Sequence, residues 1–135
     1  MDYWTFTTSF AQRMQAAFTS LRTNLIAAGV ASNRITIQEV DSNNLRYQII
    51  AVRGGRTVVI YAEVTPVGTI NGAMSIALTL SVEGNGSAIA TSYTANPPAT
   101  YTDASGIDSV IAKLSQVETM TAGELLTAAK TFLQI

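Results

Sequence analysis

The sequence predicts an α+β fold with a long N-terminal helix, a five-stranded antiparallel meander sheet and two C-terminal helices. Apolar residues recur at helical spacing near both ends of the chain. The middle holds β-rich runs separated by short turns that contain glycine and asparagine. The 135 residues are enough to bury one sizeable core, so we expect a single domain over residues 1–135.

The N-terminal helix is predicted from Tyr3 to about Ala28. Apolar residues recur in steps of three and four, and polar residues occupy the opposite face. Gly29 stands where a left-handed C-cap would end the helix. The stripe predicted to pack on the sheet consists of Phe6, Phe10, Met14, Ala17, Phe18, Leu21, Leu25 and Ala28.

A β-hairpin from Leu45 to Val64 is the feature around which the other strands are organised. Gly54-Gly55 can take positive φ at both positions of a two-residue loop, which places Arg53 opposite Arg56. Counting outward from the turn puts Arg46 opposite Glu63, an opposite-charge pair. The other face is apolar or aromatic throughout and should line the core. Its pairs are Ala51–Val58, Ile49–Ile60, Tyr47–Ala62 and Leu45–Val64.

A strand from Arg34 to Val40 is predicted to precede the hairpin. Its two isoleucines, Ile35 and Ile37, share the core face of the hairpin only if the connecting loop has an odd number of residues. A three-residue turn within Asp41-Ser42-Asn43-Asn44, with one asparagine in the left-handed region, satisfies this condition.

Two further strands are predicted after the hairpin. Residues 65–72 indicate a loop because they contain proline and glycine, and clean alternation from Met74 to Val82 indicates a half-buried strand. The turn Gly84-Asn85-Gly86 then leads to a strand over Ser87–Thr94, with either pair of its residues as the loop. Both choices place the same residues on the core face, namely Ile89, Thr91 and Tyr93.

The C-terminal part is predicted to be a loop followed by two helices. Residues 95–105 contain Pro97-Pro98, which interrupts strand pairing. Ser105–Asp108 and Thr121–Glu124 both fit the capping box that starts a helix. The apolar stripes consist of Ile107, Val110, Ile111, Leu114 and Val117 in the first helix and of Leu125, Leu126, Ala129, Phe132 and Leu133 in the second.

The composition argues against most catalytic chemistry. The chain has no cysteine and no histidine, which excludes disulfides, zinc–thiolate sites, thiol nucleophiles and a Ser-His-Asp triad. No nucleophile elbow, phosphate-binding P-loop or paired carboxylates are present, and only scattered acids such as Glu83 and Asp103 lack a structural role. We therefore expect no enzyme activity, no metal and no cofactor.

Charge and hydropathy bear on partners and location. Residues 1–56 contain six arginines and three acids, and residues 57–135 contain two lysines and six acids, which argues against a nucleic-acid partner. The N-terminus lacks the basic region of a signal peptide, and no apolar run reaches the roughly 18 residues of a membrane span. We expect a protein of the cytoplasm or of an assembly, without a membrane partner.

The outward face of the sheet is the leading candidate site. Charged residues make up 13% of the chain, against about 25% in typical globular domains, and small neutral side chains dominate this face. Such a surface favours contact with a second copy or another protein, although one of the chain's own helices or solvent remain alternatives. The interface residues proposed are Ile50, Val52, Val59, Tyr61, Ala77 and Thr79.

Two weaker candidate sites are also predicted, and each has an alternative interpretation in which its residues have only a structural role. Arg53 and Arg56 flank the glycine turn and suit an anion contact, although two solubilising charges at an exposed turn are the simpler interpretation. A small-ligand pocket between the long helix and the sheet is the second candidate, and packing of the same side chains in the core is its alternative. The pocket would be lined by Phe10, Met14, Tyr47 and Tyr93.

These observations favour a non-catalytic structural or interaction protein that forms homo-oligomers or joins a larger assembly. The order of helix, meander and helices resembles that of secretion chaperones and of virion and phage tail proteins, an analogy of fold that assigns no site. No residue pattern identifies a family. The alternative function is a small-ligand-binding domain.

Overall fold

A computed structural model describes residues 3–40, 45–70, 73–94, 99–100 and 123–135. It confirms the α+β fold with an N-terminal helix, a five-stranded antiparallel sheet and a C-terminal helix. The first of the two predicted C-terminal helices, over residues 105–117, lies outside the described residues. The elements are α1 (Tyr3–Ala28), a 3₁₀ turn (Ser32–Arg34), β1 (Ile35–Val40), β2 (Leu45–Arg53), β3 (Arg56–Ile70), β4 (Ala73–Gly84), β5 (Ser87–Thr94), β6 (Ala99–Thr100) and α2 (Glu124–Leu133).

The hairpin of β2 and β3 has the register that its glycine turn predicts. Gly54 and Gly55 have φ angles of 59° and 76°, and Arg53 pairs with Arg56. The five other pairs predicted by counting from the turn are also observed, namely the four pairs of the core face and Arg46–Glu63. The predicted core face of this hairpin is therefore confirmed.

The first strand joins the same core face. Ile35 pairs with Ala51 and Ile37 with Ile49, which is the register that an odd-numbered loop produces. The loop at residues 41–44 itself lies outside the described part of the chain. The strand order β1-β2-β3-β4-β5 completes the predicted meander.

Both described helices pack on this inner face of the sheet. α1 contacts β1 and β2, whereas α2 contacts β3, β4 and β5. Burial of one large apolar side chain contributes about 1.5–3 kcal/mol, so the shared core is the main source of stability. Buried members include Met14, Phe18, Leu21 and Leu25 of α1, Ile49, Ile60, Leu80 and Val82 of the sheet, and Leu125 and Leu133 of α2.

Gly29 ends α1 as predicted. Its φ is 119°, its N–H donates to the Ile26 carbonyl at 3.1 Å, and the Val30 N–H donates to the Leu25 carbonyl at 3.0 Å. These two bonds form a Schellman motif, which satisfies carbonyls that the last turn leaves without helical partners. Val30 is 2% exposed, so the chain turns directly into the core after the helix.

The predicted loop at residues 65–72 is wrong, because β3 continues to Ile70 and β4 begins at Ala73. The register shifts between Pro66 and Gly68, which leaves Val67 as an extra residue in β3. Proline has no N–H to donate, and a β-bulge accommodates this defect without ending the strand. The pairing of β3 with β4 therefore continues past Pro66 and Gly68, the residues on which the predicted loop is based.

The predicted core position of Ile89 is wrong, and the side chain of Thr91 lies outside the described ones. The register of β4 against β5 shifts between Val82 and Glu83 and again between Leu80 and Ser81. Ala90 therefore pairs with Val82, and Thr91 pairs with Ser81. Ile89 is the extra residue of a bulge, and it is 40% exposed. Tyr93 pairs with the core residue Leu80, and its predicted core position stays a prediction because its side chain lies outside the described ones.

The turn between β4 and β5 uses Asn85 and Gly86, with φ angles of 50° and 86°. Asn85 binds Thr57 through both backbone and side chain, because its N–H donates to the Thr57 carbonyl at 2.8 Å and its Oδ1 accepts from the Thr57 N–H at 2.9 Å. This pair of bonds explains which of the two possible loops forms.

Two predictions at the C-terminal side also need correction. β6 lies inside the predicted loop at residues 95–105 and pairs with β4 through Ile76–Ala99 and Ser75–Thr100. α2 begins at Glu124 after Gly123, which has no side chain for capping. The predicted cap Thr121 lies outside the described residues.

We expect Gly84→Ala to destabilise the protein by about 1–3 kcal/mol through overpacking. A Cβ at Gly84 would lie 2.7 Å from ring atoms of Phe132, although the Gly84 backbone is not in the left-handed region. Urea denaturation measures the change in the free energy of unfolding. In a double-mutant cycle with Phe132→Leu, the pair should be coupled by at least about 0.5 kcal/mol. A gain of about 0.4–1 kcal/mol for Gly84→Ala alone, the ordinary effect of such a change, would contradict the contact.

Candidate functional site

The outward face is the surface formed by side chains of β1 to β4 that point away from both described helices. Cross-strand pairing arranges these side chains in rows across the sheet. The rows are Thr36–Ile50–Val59–Glu83, Gln38–Gln48–Tyr61–Ser81 and Arg46–Glu63–Thr79, with Val52 paired to Thr57 at the end near the turn.

The apolar residues of the outward face form one contiguous group. Ile50 and Val59 are direct cross-strand partners, and Val52 and Tyr61 lie two residues farther along their strands. All four are partly exposed, since α1 and α2 both pack on the opposite face. Two further predicted interface residues lie on β4. Thr79 is partly exposed and pairs with Glu63. Ala77 pairs with Thr65 through its backbone, and its side chain lies outside the described ones.

A polar network covers the end of the outward face farther from the turn. The Gln48 amide donates to Gln38 Oε1 at 3.0 Å, and Arg46 Nε donates to Gln48 Oε1 at 3.0 Å. Arg46 also forms an ion pair with Glu63 at 3.7 Å, and its guanidinium lies 3.8 Å from the centre of the Tyr61 ring. Each side chain of this ion pair is 25% exposed, and such a partly exposed pair contributes little stability, about 0–1 kcal/mol. Its main consequence is that the two charges of this end neutralise each other.

The two arginines of the glycine turn bind the C-terminal end of α2. Arg53 donates to the Leu133 carbonyl at 2.9 Å and to the Gln134 carbonyl at 3.4 Å. Arg56 donates to the Phe132 carbonyl at 3.3 Å. Cations are favoured at this end of a helix because its unpaired carbonyls carry partial negative charge.

The remaining terminal carbonyls of α2 are satisfied by the chain itself. Gln134 has a φ of 62°, its N–H donates to the Thr131 carbonyl at 3.2 Å, and the Ile135 N–H donates to the Lys130 carbonyl at 3.1 Å. The result is a Schellman motif with glutamine in the left-handed position. The predicted anion contact at Arg53 and Arg56 stays a prediction, but each guanidinium already has a partner in the fold.

The predicted ligand-pocket residues lie in the core where the structure describes them. Phe10, Met14 and Tyr47 are 3%, 0% and 8% exposed, and the ring of Tyr47 stacks on Phe18 with 5.6 Å between centroids. Burial raises the pKa of the Tyr47 hydroxyl, and the Glu39 carboxylate raises it further, so this hydroxyl stays protonated at neutral pH. The Tyr93 side chain lies outside the described ones, and the pocket stays a prediction that this packing does not favour.

Neither a metal cluster nor a membrane-crossing helix occurs in the described part of the chain. Among those residues, no group of three or more acidic, histidine or cysteine side chains could hold a metal ion. The helices described there are also too short or too polar to cross a membrane. Of the two scattered acids singled out in the sequence, Glu83 pairs with Val59 on the outward face, and Asp103 lies outside the described residues.

No protein-family model, curated protein or solved structure matches this chain.

We expect Arg53→Met to destabilise the protein by about 1–2 kcal/mol, because methionine keeps part of the apolar stem but cannot donate to the carbonyls of α2. Arg34→Met is the matched control, since Arg34 is exposed and is expected to change stability by less than about 0.5 kcal/mol. Urea denaturation measures both, and amide exchange of Lys130 to Leu133 should accelerate only in Arg53→Met. Equal effects of the two substitutions would show that Arg53 does not hold the helix end.

Proposed function

We propose that this protein is a non-catalytic structural or interaction protein that self-associates through its outward face. One observation supports the proposal above all. The apolar group of Ile50, Val52, Val59 and Tyr61 lies on the face that α1 and α2 leave uncovered. Contiguous apolar surface rimmed by polar residues is typical of contact sites between proteins.

The charges of the outward face suit a second copy of the same chain. In a two-fold contact the same patch of both copies meets, so a charge without a partner in its own copy would lie close to the same charge of the second copy. Arg46 and Glu63 are paired within one copy and the glutamines beside them are neutral, whereas Glu83, next to Val59 on β4, adds one negative charge to the face. The net charge of the whole chain is −1, so long-range repulsion between copies is small.

The size of the outward face sets the expected affinity. The four strands of this face lie about 4.8 Å apart, and each contributes a length of about seven residues, which gives a patch of roughly 20 by 23 Å. That area, roughly 460 Å², is below the about 800 Å² per partner of standard specific interfaces and is in the range of weak, transient contacts. We therefore expect association in the micromolar range, or participation in an assembly where further contacts add to this one.

Membership of a larger assembly, of the virion, phage or secretion-chaperone kind, is the broader form of this proposal. Its support is the low charged fraction of 13%, since a protein whose surface is covered by neighbours needs few charges for solubility.

We expect Ile50→Lys to abolish self-association while the protein stays folded. A lysine at this position would place a charge at the centre of the contact, and two copies would meet lysine to lysine. Sedimentation velocity over a concentration series measures the association, and circular dichroism reports the fold. Asn24→Lys adds the same charge on the exposed side of α1 and serves as the matched control, which should associate like the unmodified protein.

Two outcomes would contradict the proposal. One is an unmodified protein that stays monomeric at several hundred micromolar. The other is association that Ile50→Lys leaves unchanged, which would place the contact elsewhere.

A further inference from the structure

A cavity of about 410 Å³ lies beside the turn between β2 and β3, and two arginines line it. Arg34 is the last residue of the 3₁₀ turn and Arg53 precedes the glycine turn, so the cavity lies where the end of α1 meets the hairpin. Its size is within the range of small-ligand sites, about 300–1,000 Å³. Its walls also include Gly29, Ala31, Val52, Gly54 and Gly55.

The walls of this cavity are basic and contain no acidic side chain among the described residues. Two more arginines lie at the same end of the molecule, because Arg22 donates to the Ser32 carbonyl at 3.1 Å and Arg56 pairs with Arg53 across the turn. Four of the six arginines in the sequence thus surround one end of the sheet. This concentration of positive charge attracts anions.

The two lining arginines differ in how firmly the fold holds their side chains. Arg53 is held in place because one guanidinium nitrogen, Nη1, donates to the carbonyls of Leu133 and Gln134, which leaves its other nitrogens available. Arg34 is exposed. One fixed and one adjustable guanidinium suit an anion with several oxygens, since each guanidinium can bind two oxygens at once.

The glycines of the walls let a ligand approach the backbone. A Cβ built at Gly29, Gly54 or Gly55 would have no neighbour within 4 Å, so the space beside each of them is open. Open backbone next to guanidinium groups is a frequent feature of phosphate sites.

We propose that this cavity binds a small phosphate-type anion between Arg34 and Arg53. The site differs from the pair of arginines that the sequence indicates, because Arg34, and not Arg56, lines the cavity together with Arg53. The ligand is a diphosphate group, either free or carried by a nucleoside.

Isothermal titration calorimetry at low ionic strength tests the proposal with pyrophosphate as the probe. We expect saturable binding that weakens about tenfold in Arg34→Gln, because one charge-assisted contact is lost. Ala31→Glu, which adds a negative charge to the wall, should abolish binding. Arg13→Gln removes the same charge from a site on α1 outside the cavity and should bind like the unmodified protein.

Titrations with orthophosphate and with adenosine diphosphate distinguish the sources of the ligand. Tighter binding of adenosine diphosphate than of pyrophosphate would indicate a nucleotide, and the reverse would indicate the free anion. No measurable binding of any of the three, or equal weakening by Arg34→Gln and Arg13→Gln, would overturn the proposal. The cavity shares Val52 with the outward face but is not lined by Ile50, so the same titration of Ile50→Lys separates anion binding from self-association.

Discussion

A slip of one residue at the Gly54-Gly55 turn would move every side chain of β2 or β3 to the opposite face of the sheet. The positive φ angles of both glycines select the two-residue loop, and the observed pairing of Arg53 with Arg56 follows from it. This register separates a largely apolar inner face from an outward face on which Arg46 pairs with Glu63. The pairing of β1 and β4 continues this division across the sheet, and both described helices pack on the inner face, which carries the contiguous apolar side chains of the core.

The same turn also connects the hairpin to the C-terminal helix. Arg53 and Arg56 lie about 80 residues before the carbonyls that they bind, and Arg56 additionally lies 5.2 Å from the ring centre of Phe132. That ring in turn packs over Gly84, where no side chain competes for the space. The end of α2 therefore rests on two adjacent turns of the sheet, and the position of each depends on the register of its hairpin.

Local rules predicted the features that depend on neighbouring residues. The two-residue turn, the helical stripe of α1 and its Gly29 cap all follow from short-range patterns. The bulge near Pro66 and the displacement of Ile89 were not predictable, because alternation assumes an unbroken ladder and a bulge shifts it by one residue. The candidate surface followed from the register, but the roles of the turn arginines did not. Their partners are distant in sequence, and no local pattern indicates such contacts.

The register of β2 against β3 is the central claim, and nuclear Overhauser contacts between Hα atoms test it most directly. In a hairpin with a two-residue loop, the pair beside the loop is hydrogen-bonded, so alternate pairs are the close ones, with about 4.5 Å between Cα atoms. The observed register makes Ile50–Val59 and Gln48–Tyr61 such pairs. Strong Hα–Hα contacts within these two pairs are the expected result. Contacts displaced by one residue along either strand would contradict the register and, with it, the assignment of the two faces.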